Sequence, residues 1–278
     1  MPEPDALVTV LNKTEEETDI SSTAVIKRLS GLAIPMALSY TFSIEMSLLV
    51  FFLSQLNADK PHEASITLTT SMLNSLNIIG LSPLLAMSMV AGKKYGELCA
   101  AQRDGETDLE PLKEAIARVN PHGLLIAIAM TPVVILPLTF SEALLKQVFR
   151  QEEEVARISQ SFLRPYAAAV PATLFRLCAE QMMFAFGRTK PAMIIGLLTA
   201  LIGMGLATTL AFGKLGAPKL GETGLLIGYL SESYLTAIAF SLYIAFHPEF
   251  RPFSFFKPKR FFKDLRKIQE LLALGGPM

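Results

Sequence analysis

The chain has 278 residues, 51% of them hydrophobic and only 18% charged, with acidic and basic side chains in equal number. A soluble domain usually carries about a quarter charged residues, and a net charge of zero gives no global field to attract nucleic acid. Cys99 and Cys178 are too few for a disulfide framework, and with His62, His122 and His247 they form no metal-ligand spacing.

Residues 1–28 read as a polar cytosolic tail. Glu15, Glu16, Glu17 and Asp19 stand where a secretory leader would need a basic start and an apolar run. The following region, 29–247, contains six stretches long and apolar enough to cross about 30 Å of hydrocarbon, which takes about 20 residues of helix. They run from about Leu29 to Leu53, Leu68 to Ala91, His122 to Phe140, Phe162 to Phe186, Ala192 to Phe212 and Gly224 to Phe246. Turn chemistry separates them at Asn57–Pro61, Gly187–Pro191 and Gly213–Gly221. Pro35, Pro83, Pro132, Pro137 and Pro171 fall inside spans, where neighbouring helices can satisfy the freed carbonyls. The fold class expected is therefore all-α, a polytopic bundle of six transmembrane helices.

Basic residues set the orientation, because they resist translocation. With the N-terminus inside, the long segment from Gly92 to Asn120 holds Lys93, Lys94, Arg103, Lys113 and Arg118, and the turn after the fourth span holds Arg188 and Lys190. The stretch after the sixth span adds Arg251, Lys257, Lys259, Arg260, Lys263, Arg266 and Lys267. The outside segments hold fewer: Lys60, Lys146, Arg150, Arg157, Lys214 and Lys219, with Arg164 at the outer end of the fourth span. Both ends are expected in the cytosol of an inner or plasma membrane. An amphipathic helix is expected around Leu109 to Val119. Residues 248–278 read as a basic amphipathic linker, with Phe255, Phe256, Phe261 and Phe262 set among lysines and arginines, followed by the start of a seventh helix.

Three segments resemble the N-terminal lobe of the multidrug and toxic compound extrusion (MATE) family. Leu29-Ser-Gly-Leu-Ala-Ile-Pro-Met-Ala-Leu38 is similar to the family's opening helix, and Phe184-Ala-Phe-Gly-Arg-Thr-Lys-Pro-Ala-Met193 to its turn between helices 4 and 5. Phe212-Gly-Lys-Leu-Gly-Ala-Pro-Lys-Leu-Gly-Glu-Thr-Gly224 resembles the loop before helix 6. Ile268 to Met278 is similar to the start of the family's second lobe and echoes Leu29 to Met36, as in parallel six-helix repeats. The resemblance implies half of a secondary transporter exporting organic cations or other amphipathic small molecules in exchange for H+ or Na+. Its implied partners are membrane lipid, a small-molecule substrate and a second six-helix lobe, with no nucleic acid. No cofactor is expected beyond the coupling ion. The alternatives are a lipid-linked oligosaccharide flippase of the same superfamily and a non-transporting scaffold or degenerate fragment. No P-loop, Gly-x-Ser-x-Gly or His-Glu-x-x-His motif points to an enzyme.

Acidic side chains within apolar spans are costly and mark candidate sites. Glu45, Glu180 and Glu232 are the ion- or proton-coupling candidates. The family's usual acidic position in the first helix falls near Val50, so Glu45 is displaced from it. Tyr40, Asn74, Asn77, Arg176 and Gln181 are substrate-pathway candidates. Arg176 and Glu180, four apart on one helix face, can instead pair with each other. Asn74 and Asn77, three apart, can equally serve as packing contacts, and Glu232 as a structural hydrogen-bonding group.

Overall fold

A computed structural model describes residues 60–256 and, ahead of them, the helical positions Lys27, Ser30, Gly31, Ala33, Ile34, Pro35 and Ala37. Within 60–256 the chain is helical throughout, with no strand among the described residues. The long helices are α1 (Lys60–Arg103), α3 (Val119–Thr139), α7 (Thr189–Phe212) and α8 (Glu222–Phe246). Between them lie α2 (Glu110–Ala117), α4 (Ser141–Gln147), α5 (Glu153–Tyr166) and α6 (Val170–Ala185). Among the described residues four helical segments are long and apolar enough to cross a membrane: Ala64–Arg103, Glu110–Thr139, Thr189–Phe212 and Glu222–Phe246. They match the second, third, fifth and sixth expected spans. The expected first span, apart from the scattered positions above, lies outside the described residues.

The expected fourth span falls on α5 and α6, which are joined by the single 3-10 turn Ala167–Ala169. Pro165 and Pro171 bracket that turn, and each removes a backbone donor from the α-helical ladder. Two differences from the expected loops stand out. The segment after the second span is helical to Arg103 rather than a loop from Gly92. At about 1.5 Å per residue, α1 runs roughly 66 Å, twice the hydrocarbon thickness, so its ends project beyond the membrane. The connection after the third span is likewise structured, holding α4 and the first turns of α5. The amphipathic helix expected near Leu109 forms as α2, with Ile116 and Ala117 buried.

Helix α6 occupies the centre of the described bundle, packed against α1, α3 and α8. Leu84 and Met87 of α1, Leu138 of α3, and Leu174, Leu177, Met182 and Met183 of α6 form its buried apolar core. The outer faces are apolar as well: Ile78 is 69% exposed and Ile202 56%. Such a surface is a liability in water and ordinary in lipid.

The tightest pairing joins α7 to α8. Gly203, Ala207 and Ala211 of α7 meet Gly224, Gly228 and Glu232 of α8, each set spaced by four residues. A Cβ at Gly224 would lie 2.5 Å from the backbone nitrogen of Ala211. This is the small-residue contact by which membrane helices approach closely without a hydrophobic driving force. The α7–α8 connection starts at Gly213, whose φ of 67° ends α7 in the left-handed region that glycine adopts freely.

Candidate functional site

Three polar clusters interrupt this apolar framework. The first lies at the heart of the bundle, where the 3-10 break after α5 meets α1, α6 and α8. The hydroxyls of Tyr166 and Tyr229 share a hydrogen bond of 2.7 Å, and their rings stack with centroids 4.8 Å apart. Asn77 of α1 hydrogen-bonds the Tyr166 phenol, and the charge of Arg176 acts on it from α6. Beside them is a cavity of about 10 Å³, at the lower limit for a single water, lined in part by Asn77, Gly80, Tyr166 and Thr173. Two consecutive acid/amide positions of α6, Glu180 and Gln181, are buried further along the same helix.

The second cluster sits in the α7–α8 seam. Glu232 is 5% exposed, and its carboxylate lies against Gly203: a Cβ there would stand 2.7 Å from Oε2. One turn along, the Thr236 hydroxyl hydrogen-bonds that of Thr199 at 2.8 Å and lies 2.8 Å from the Glu232 carbonyl. Buried Ser233 adjoins them on α8. An acid thus occupies a position where the neighbouring helix offers glycine and hydroxyls. Removing the neighbour's Cβ creates the room, and the hydroxyls make the seam locally polar.

The third cluster is at the end of the bundle where the α6–α7 turn carries Arg188 and Lys190. Glu249 accepts hydrogen bonds from the Tyr95 hydroxyl (3.1 Å) and from Nε of Arg188. That bond, with the carboxylate's charge, raises the pKa of the Arg188 guanidinium above its already high ordinary value. Phe186 packs beneath, its ring 4.3 Å from Tyr95, 4.8 Å from Phe250 and 5.2 Å from Phe253. The turn between α6 and α7 is therefore bolted both to the projecting end of α1 and to the chain leaving α8.

Of the residues singled out from sequence, Asn77 and Arg176 come together at Tyr166. Glu180 and Gln181 are buried in α6, whereas Asn74 is exposed on α1. Glu232 lies apart from the tyrosine cluster, in the seam. Glu45 and Tyr40 are outside the described residues. Sequence reasoning missed Tyr166 and Tyr229. The available signal was a tyrosine beside the span proline Pro165, and a second tyrosine three residues before Glu232 on α8. It also read Arg188 as a topology charge and as part of the family-like turn, without its partner Glu249.

A bundle of apolar helices with an apolar exterior, buried acids and a proline-broken central helix defines a polytopic membrane protein. No family model matches the chain. It is 28% identical over 204 residues to the probable multidrug resistance protein NorM of Halalkalibacterium halodurans, covering 72% of this chain and 40% of that protein. It is 31% identical over 166 residues to the NorM of Bacillus thuringiensis subsp. konkukian, covering 60% of this chain and 36% of that protein. Its fold is similar to that of the eukaryotic MATE transporter AtDTX14, with a TM-score of 0.72 at 16% identity over 90% of this chain and 51% of that one. In sequence and in fold the chain is similar to MATE transporters, and it spans about half the length or less of the proteins it matches.

Proposed function

We propose that this chain is the N-terminal lobe of a secondary transporter that exports organic cations or other amphipathic small molecules in exchange for H+ or Na+. The observation that carries this reading is the half-length likeness to proteins named for multidrug resistance. Buried Glu180 and Glu232 support it, because carboxylates inside apolar helices are the groups through which a proton or sodium ion can be coupled to a conformational change. The second wall of the pathway is another six-helix lobe, in the same polypeptide or on a paired chain. The lobes rock about the shared pathway in alternating access. The membrane is the inner or plasma membrane, with both ends of this lobe in the cytosol.

Within the lobe, Glu232 is the better coupling candidate. It is buried in the α7–α8 seam with its carboxylate against Gly203, and Gln at this position preserves shape while removing the charge. The test is export of ethidium from cells or liposomes holding the complete two-lobe protein, driven by an imposed pH or sodium gradient. Glu232→Gln is expected to lower gradient-driven export at least about tenfold, roughly 1.4 kcal/mol of lost coupling. Unaltered export by Glu232→Gln and by Glu180→Gln alike would remove both from the coupling site. Ethidium retention under both gradients would overturn the proposed substrate class.

A further inference from the structure

The face of α8 turned away from α7 carries a furrow. Tyr234, Ile238, Ser241, Leu242 and Ala245 recur at helical spacing and line it as two adjoining hollows that share Phe256. Its larger part, about 530 Å³, has Ile128 of α3 and Phe175 of α6 as opposite walls. Its smaller part, about 310 Å³, continues past Phe256, which borders both, to Arg251 and Ser254. The furrow is closed near the middle of α8, where the Tyr234 hydroxyl donates to the carbonyl of Ala168 across a distance of 2.9 Å.

From Tyr234 to Ala245 the furrow runs roughly 16 Å along the helix, which is about half of the ~30 Å hydrocarbon thickness. It therefore spans the depth of one leaflet. Its walls are almost wholly apolar up to the end of α8, and only there does a cation stand at the rim. Arg251 is exposed, and no carboxylate among the described residues pairs with it.

We propose that this furrow holds one acyl chain of an anionic phospholipid of the cytoplasmic leaflet, with the lipid phosphate at Arg251. Length, polarity and charge each select that occupant. A soluble peptide would leave its backbone unsatisfied against Ile128, Phe175 and Leu242, whereas a hydrocarbon chain has no polar group to lose. A basic rim at the leaflet boundary favours a negative headgroup over a zwitterionic one. The assignment rests on the proposed function only for which leaflet supplies the lipid.

The test is native mass spectrometry of the full chain in detergent, titrated separately with dioleoyl phosphatidylglycerol and dioleoyl phosphatidylcholine. Wild type is expected to retain the anionic lipid about fivefold better, the factor given by roughly 1 kcal/mol per basic residue at a membrane surface. Arg251→Gln should erase that preference while leaving retention of phosphatidylcholine unaltered. Ser241→Phe, which fills the middle of the furrow, should lower retention of both lipids; Ala245→Phe, at an exposed position, serves the same purpose if the first variant folds poorly. Equal retention of the two lipids by wild type would overturn the headgroup assignment. Unaltered retention in both phenylalanine variants would show the furrow to be occupied by something else, the chain's own following residues included, and would overturn the site. Both outcomes are independent of whether ethidium is exported.

Discussion

At Glu232 the neighbouring helix has given up a side chain. Gly203 faces the carboxylate with only backbone, and any larger residue there must displace it. Gly203→Val is therefore expected to cost about 1–3 kcal/mol through overpacking, seen as a lower midpoint of thermal unfolding in detergent. Glu232→Gln keeps the volume and should leave that midpoint within about 0.5 kcal/mol of wild type. If the glutamine variant also melts early, the carboxylate is a structural anchor, and its loss of export would not report coupling. Tyr166 and Tyr229 offer a contrasting case, because both hydroxyls are buried against each other. Tyr166→Phe leaves Tyr229 and Asn77 each short of a partner, and about 1–3 kcal/mol of stability should be lost. A double variant with Tyr229→Phe should lose less than the sum of the two single changes, since the phenylalanine pair leaves no orphaned phenol.

Among the helices, what was legible in the sequence follows from the lipid requirement. The backbone of a span must satisfy itself, so α3, α7 and α8 show as unbroken apolar stretches, and Gly213 and the Gly187–Pro191 turn mark their limits. Hydropathy carries no such signal for a helix that leaves the membrane. The extension of α1 to Arg103, the short helix α4 and the first turns of α5 are polar, and they read as loops. The long-range pairings were hidden for another reason: Glu249 and Arg188 are 61 residues apart, and nothing in either local sequence names its partner.

The link between α4 and α5 illustrates such a polar element. Lys146 bridges Glu142 and Glu153, both at 2.8 Å, and its hydrogen bond, together with its charge, lowers the pKa of the Glu153 carboxyl. A lowered folded-state pKa stabilises the fold above the ordinary carboxylate range, and the contribution is lost as pH falls through the lowered value. Lys146→Ala should thus reduce thermal stability slightly at neutral pH, and the difference from wild type should vanish in strong acid. Because Glu153 is exposed and Lys146 lies at the surface beside it, salt should also shrink the difference.

At the scale of the whole molecule, the described helices leave apolar side chains on faces pointing away from the core: Ile78 and Ile79 of α1, and Leu201 and Ile202 of α7, are each more than half exposed. A lobe with such a surface is compatible with lipid on one side and with another helical lobe on the other. A pathway through the membrane needs two walls, because alternating access consists of one repeat moving against another around the site between them. The chain matches about half of its relatives, and under the proposed function it supplies one wall. Reconstituted alone in liposomes, it is expected to insert and to remain folded, since α6 and the α7–α8 seam complete their packing without help. It is nonetheless expected to give no ethidium movement above that of protein-free vesicles under either a pH or a sodium gradient. Adding the second lobe should restore export, and Glu232→Gln should then lower it. Gradient-driven export by this chain alone would mean that two copies build both walls, and chemical crosslinking in the same liposomes would then trap a dimer.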